Sequence, residues 1–275
     1  MRLGFIAGIE ERDFEFARVH GFPCVEFNTY PGDVDKYAAA TADVLKWKAR
    51  HGVALSSFGY FGAEYLAPDA QLRKKGLDGA FESVEVCARL GAPVLVMGAG
   101  SLPTREVPGQ KKPQPVKVDE ANRLAIEVVG PVVRKAEAAG LKVAFYNCGW
   151  TNFCYNESAW GAFLAAFPKA GIKFDPSHPF YRGEDYLAQM RDWGHRFHHV
   201  HAKGAVLISG ARFTDPPAGM DQIDWPSFFA ALHAVGYAGD VNLEPHSDPW
   251  CKGEGRCRGL LFSQRCLRPF LAEEC

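Results

Sequence analysis

The feature that most constrains this chain is a rhythm repeated eight times: a short run of strand-forming residues, then a longer stretch at helical spacing. Strands are expected at residues 3–7, 24–28, 54–59, 93–97, 142–147, 172–175, 197–202 and 240–244. Helices are expected at residues 14–20, 35–51, 71–90, 120–139, 157–167, 184–193, 225–235 and 256–271. Such alternation builds βα units around a parallel sheet. In the third helix Leu77, Phe81, Val84 and Ala88 mark the expected apolar face, and Gly91 is placed to cap its end. Eight units in 275 residues is the size and order of a (β/α)8 TIM barrel, and the whole chain is read as one such domain. A doubly wound open sheet is the runner-up, but the first βα turn has no GxGxxG phosphate fingerprint.

Composition narrows the function classes. An apolar fraction of 47% supports a large core, and a formal charge of −1 gives no electrostatic reason to expect nucleic acid or an anionic membrane. The opening MRLGFIAGIEERDF has too short an apolar stretch for a signal peptide, and no run approaches the roughly 20 residues that span a bilayer. A soluble, cytoplasmic protein is therefore expected. The eight cysteines include no CxxC pair and read as reduced thiols. Four lie in the tail (Cys251, Cys257, Cys266 and Cys275), spaced too widely for a zinc knuckle. Residues 98–118 break the rhythm with a run rich in Pro, Gly and Lys, either a lid, binding loop or subunit contact, or a solvated excursion.

Functional groups of a TIM barrel come from the C-terminal ends of its strands. Here the fifth strand ends in Phe145-Tyr146-Asn147 and the sixth runs into Asp175-Pro176-Ser177-His178. The seventh ends in His199-Val200-His201-Ala202-Lys203, and the eighth in Leu243-Glu244-Pro245-His246. Asp, His and Glu converging on one rim suit a hard or borderline divalent ion. Each has a plainer alternative: Asp175 as a turn cap, one of His199 and His201 as a packed histidine, Glu244 as half of an ion pair. His201, nearer the strand end, is the preferred ligand. His178 and Lys203 read as substrate contacts, while Glu26 on the second strand either orients substrate or pairs with a cation. Phe58, Tyr60, Phe61, Trp150, Phe153 and Phe180 fall in or near the rim loops, as sugar-facing aromatics or as ordinary packing.

At these residues the chain resembles the xylose-isomerase-like TIM-barrel family, the sugar phosphate isomerases and epimerases. The segments IKFDPSHPFYRGEDYLAQMRDWGHRFHHVHAKG, DQIDWPSFFAALHAVGYAGDVNLEPHSDPW and GYFGAEYLAPD carry the resemblance, which extends over essentially the whole chain. It implies one divalent ion (Mn, Co, Mg or Zn) bound by a fifth-strand Glu and by the places of Asp175, His201 and Glu244. Where relatives read Ala-x-Glu-Asn, this chain reads Ala144-Phe145-Tyr146-Asn147, so Tyr146 replaces the glutamate. Gly204 also stands where an Asp often follows the Val-His-Ala-Lys run. The resemblance implies an isomerase or epimerase acting on a small sugar, keto-sugar or polyol derivative through proton abstraction beside a carbonyl. Glu244 is then the base, Tyr146 or His178 the proton partner, and Lys203, Glu26, Trp150 and Asn147 contact the substrate. A homo-oligomer is compatible with this reading. A β-elimination lyase on an oxidised sugar and a non-catalytic sugar-binding or partner subunit are the alternatives. A role in DNA repair is disfavoured by the ligand set and by the lack of basic excess.

Overall fold

The computed structural model describes all residues except 107, 109, 111 and 272–275. Eight parallel strands form the closed barrel expected from the sequence: β1 (Arg2–Ile6), β2 (Cys24–Thr29), β3 (Ala54–Tyr60), β4 (Val94–Met97), β5 (Lys142–Tyr146), β6 (Gly171–Phe174), β7 (Phe197–Ala202) and β8 (Asp240–Leu243). Their order around the sheet follows the chain, with β8 returning to β1. That closing seam aligns Arg2 with Asp240 and Phe5 with Leu243. Arg2 clamps Asp240 through two 2.8 Å hydrogen bonds. The strands are buried nearly end to end, as expected when both faces of a parallel sheet are covered.

The helices are α1 (Glu11–His20), α2 (Val34–His51), α3 (Ala70–Leu90), α4 (Val118–Ala138), α5 (Glu157–Ala166), α6 (Ser177–Arg182), α7 (Tyr186–Trp193), α8 (Trp225–Ala234) and α9 (Gly253–Leu267). Two features went unread in the sequence. Helix α6 is only six residues long and contains Pro179, so no apolar period announces it. Beyond β7, Val206–Ile208 and Ala211–Thr214 pair as an antiparallel ribbon. Ser209 (φ 52°) and Gly210 (φ 78°) turn it in the left-handed region, which suits a type I′ hairpin. Within 98–118, Thr104–Arg105 pairs with Gln114–Pro115, and Ser101 donates to Glu64. No disulfide joins the described cysteines, and Cys275 lies outside the described residues. No described helix is long and apolar enough to cross a membrane.

The chain divides into two compact units. One comprises Met1–Phe27, Ala42–Ser56 and Lys173–Cys275, the other Asn28–Thr41 and Ser57–Ile172. In the first, Phe5 meets Phe22 edge-on at 5.0 Å. The Arg256 guanidinium lies over the Phe5 ring and also binds Asp13 and the Ile6 carbonyl. In the second unit, Phe145 and Phe167 pack around Phe163 with ring centroids 4.7 and 5.4 Å away.

Helix α3 corrects the expected face. It starts at Asp69, whose carboxylate accepts from the Gln71 and Leu72 amides, and stops at the left-handed Gly91. It buries Gly76, Gly79, Ala80, Ser83, Val84 and Cys87, while Ala88 is exposed and Leu77 and Phe81 are only half buried. Two glycines turn the face by letting the helix close on Tyr60, which donates to the Gly76 carbonyl at 3.0 Å. A Cβ at Gly79 would stand 2.3 Å from the Tyr60 hydroxyl.

Gly79→Ala is therefore expected to destabilise by about 1–3 kcal/mol despite alanine's higher helix propensity. Gly161→Ala on the exposed face of α5, where a Cβ meets nothing within 4 Å, is expected to stabilise by about 0.5–1 kcal/mol. Urea unfolding of the pair checks the contrast, and equal effects would refute the packing argument.

Candidate functional site

Alternation along the strands aims two residues per strand into the barrel. Strand β6 contributes Lys173 and, just past its end, Asp175; β7 contributes His199 and His201; β8 contributes Asn242 and, just past its end, Glu244. Strand β2 adds Glu26. All seven belong to the first unit. Apart from Glu244, which is half buried, they are almost wholly shielded from solvent.

The centre is built on Glu26. Its Oε1 lies 2.8 Å from His201 Nε2, and its Oε2 lies 2.5 Å from both His199 Nε2 and Asn242 Nδ2. Asn242 also reaches Ser56 Oγ at 2.6 Å. Burial opposes charge on this carboxylate, but His201 and His199 hold it well below the usual range. His199 is pushed down by its own burial, against the pull of Glu26. His201 is buried too, which alone would lower it. Glu26 and Glu244 nevertheless lift it above its ordinary value. Its Nδ1 faces Glu244 Oε2 at 2.6 Å.

Asp175 takes part in the turn that opens α6. Its Oδ1 accepts from the Ser177 amide at 2.9 Å and so caps α6, while Oδ2 faces the site. Around Oδ2 stand His178 Nε2 at 3.3 Å, Lys203 Nζ at 3.4 Å and Lys173 Nζ at 3.8 Å. The same lysines flank Glu244, with Lys203 Nζ 3.7 Å from Oε1 and Lys173 Nζ 3.8 Å from Oε2. Burial resists ionisation of both carboxylates, but Lys203, His178 and Lys173 keep Asp175 well below the usual range, and Lys203, His201 and Lys173 do the same for Glu244. Lys203 Nζ also lies 3.3 Å from His178 Nε2.

Asp175, His201 and Glu244 each offer a ligand atom, and these atoms lie within 4.8 Å of one another. Two carboxylate oxygens and an imidazole nitrogen fit a divalent ion of the zinc or manganese type. The Glu26 contact to the far nitrogen of His201 is the outer support such a ligand uses.

Tyr146, Asn147 and Trp150 belong to the second unit. The Tyr146 hydroxyl donates to the Trp150 carbonyl at 3.2 Å and pairs with Thr151, and its ring packs on Phe61. Burial pushes this phenol up, away from the range of a neutral-pH base. Asn147 is fully buried, and Trp150 is 54% exposed with its ring edge-on to Tyr30. Phe58, Tyr60 and Phe153 are buried, so they are core rather than rim aromatics, whereas Phe61 and Phe180 are half buried.

Sequence reasoning missed Lys173 and Asn242, although the signal was present: each stands two residues before a chosen site residue and shares its face. It also missed Asp215. This buried carboxylate accepts from Tyr181 and Arg212, lies 2.7 Å from His246 Nδ1, and ties the end of the ribbon to the segment after Glu244. A cavity of about 620 Å³ in the first unit has Ile6, Gly8, Asp13, Lys252 and Arg256 on its walls, with Pro245, the neighbour of Glu244.

Glu26→Gln is expected to cost about 3–5 kcal/mol at pH 7, the range for breaking a buried charge pair. Because Glu26 is lowered on folding, its contribution is complete above the unfolded value near 4.5 and is lost as pH falls through the lower folded value. Urea unfolding from pH 7 to pH 3 should show the gap between natural protein and variant narrowing. A constant gap would refute the assignment.

The chain is 31% identical over 209 residues to the uncharacterized protein YfiH of Bacillus subtilis (strain 168), spanning 63% of this chain and 66% of YfiH. Its structure superposes on the IolI protein with a bound zinc atom at a TM-score of 0.78, with 15% identity over 99% of this chain and all of IolI, its coverage there being 100%. It superposes on the 3-keto-D-glucoside 4-epimerase YcjR from E. coli, apo form, at 0.74, with 17% identity over 98% of this chain and 99% of YcjR. At such identities the structural likeness speaks for the fold. The xylose isomerase-like TIM barrel family matches residues 14–265, and this chain belongs to that family.

Proposed function

We propose that this protein is a metal-assisted isomerase or epimerase acting on a small sugar, keto-sugar or polyol derivative. The observation that carries the reading is the convergence of Asp175, His201 and Glu244, with ligand atoms within 4.8 Å, at the ends of three consecutive strands. The zinc atom in IolI and the epimerase activity named for YcjR support it.

Asp175, His201 and Glu244 would hold the ion, which supplies electrophilic stabilisation of neighbouring substrate oxygens. Glu244 Oε2 is turned to His201, which leaves Oε1, on the Lys203 side, to take a proton from a carbon beside a carbonyl. The electron pair of that C–H bond passes to the carbonyl oxygen, where the Lys203 ammonium meets the negative charge. The cations that keep Glu244 ionised also weaken it as a base, so the carbon must be acidified by its carbonyl. His178, beside Lys203 and 16% exposed, is the better proton partner. Tyr146, whose hydroxyl is engaged by its own loop, is the poorer one. That same engagement favours a second reading, a sugar-binding subunit without turnover. Metal-dependent turnover appearing only in Tyr146→Glu would support the second reading.

Glu244→Gln is expected to lower turnover on responsive keto-sugars by at least about 10³-fold while circular dichroism shows the fold retained. Protein purified without added metal is expected to carry near-stoichiometric divalent ion that Asp175→Ala loses. Near-normal turnover in the glutamine variant would sink the assignment of the base.

A further inference from the structure

Lys173 is the group in this centre that neither the proton transfer nor the ligand set uses. It sits in the middle of β6 between Ile172 and Phe174 and is 2% exposed. An ammonium so deep in a barrel is costly unless opposite charge meets it. Its Nζ is 3.8 Å from Asp175 Oδ2 and 3.8 Å from Glu244 Oε2, one oxygen of each carboxylate in the candidate trio. Those separations are too long for hydrogen bonds, so the interaction is one of charge. Lys203 faces the same two carboxylates, at 3.4 and 3.7 Å. The two ligand carboxylates are thus already matched by two ammonium groups before any ion arrives.

The position of Lys173 separates it from Lys203. Lys203 follows the end of β7, at the barrel rim, and is as buried as Lys173. Lys173 precedes Asp175 by two residues on the same face, one pleat deeper in the barrel. It approaches the carboxylates from within the barrel rather than from the rim.

We propose that Lys173 is an internal counter-cation: it holds Asp175 and Glu244 together in the ion-free protein and weakens the binding of a divalent ion to them. It is a positioning residue, and the inference rests on reading Asp175, His201 and Glu244 as the ligand trio. A merely structural lysine would make the opposite prediction, since its loss would loosen the ligands and weaken the ion.

Mn²⁺ is titrated into metal-stripped natural protein, Lys173→Met, Asp175→Ala and the double variant, with free Mn²⁺ read by electron paramagnetic resonance. Lys173→Met is expected to bind at least about tenfold more tightly than the natural protein, because a like charge close to the ion is gone. Asp175→Ala and the double variant are expected to lose the site. If Lys173→Met melts too low for titration, Lys173→Gln is scanned thermally, and Mn²⁺ is expected to raise its melting temperature more than that of the natural protein. If Asp175→Ala binds Mn²⁺ as well as the natural protein, the ligand trio is wrong and the inference falls with it. If Asp175→Ala loses binding but neither lysine variant gains affinity or a larger melting shift, the trio stands and the role of Lys173 alone is overturned.

Discussion

The contact on which the centre depends is that of Glu26 with His201 inside the barrel. A carboxylate 1% exposed persists as an ion only where donors surround it, and Glu26 has His201, His199 and Asn242. That arrangement fixes more than Glu26. It sets the plane of the His201 ring, which places Nδ1 against Glu244. It also engages His199, so that of two histidines on one strand face His201 is the one that also meets Glu244. Strands β2, β7 and β8 are thereby joined through side chains as well as through the barrel sheet.

A second buried carboxylate does comparable work outside the barrel. Asp215 collects Tyr181 from α6, Arg212 from the ribbon and His246 from the segment after β8. The three segments leave the barrel beside Asp175, Lys203 and Glu244. Local turn chemistry alone would not keep such segments in register, because the ribbon is exposed, with Phe213 at 66% and Ile208 at 52%. One carboxylate with three donors supplies a fixed point that their sparse packing lacks.

The barrel was legible because strand and helix periods are properties of the chain itself. All eight expected strands formed, most within a residue of the expected ends, since short apolar runs between caps leave little freedom. Helix α6 and the ribbon were not legible, because six residues or a two-residue turn show no period. The face of α3 was misread for another reason: Gly76 and Gly79 contribute by what they lack, and a search for apolar side chains passes over them. The convergence of Asp175, His201 and Glu244 could be expected because successive strand ends of a barrel share one rim. Lys173 was passed over because a lysine inside an apolar run reads as an interruption until the partners of its charge are known.

Lys173 also changes how the departure at Tyr146 is understood. The resemblance implied a fourth ligand carboxylate on the fifth strand, and this chain has a phenol there that burial keeps neutral. Taken alone, that loss would leave a three-ligand site that binds its ion less tightly. Lys173 acts in the same direction by neutralising charge on the carboxylates that remain. Both features reduce the negative charge offered to a cation, one by omission and one by pairing. A site balanced in this way keeps its carboxylates ionised and together, because the repulsion that would part Asp175 from Glu244 is met from within the strand that carries Asp175. The geometry of the centre is then a property of the folded chain, set by charges that its own side chains supply.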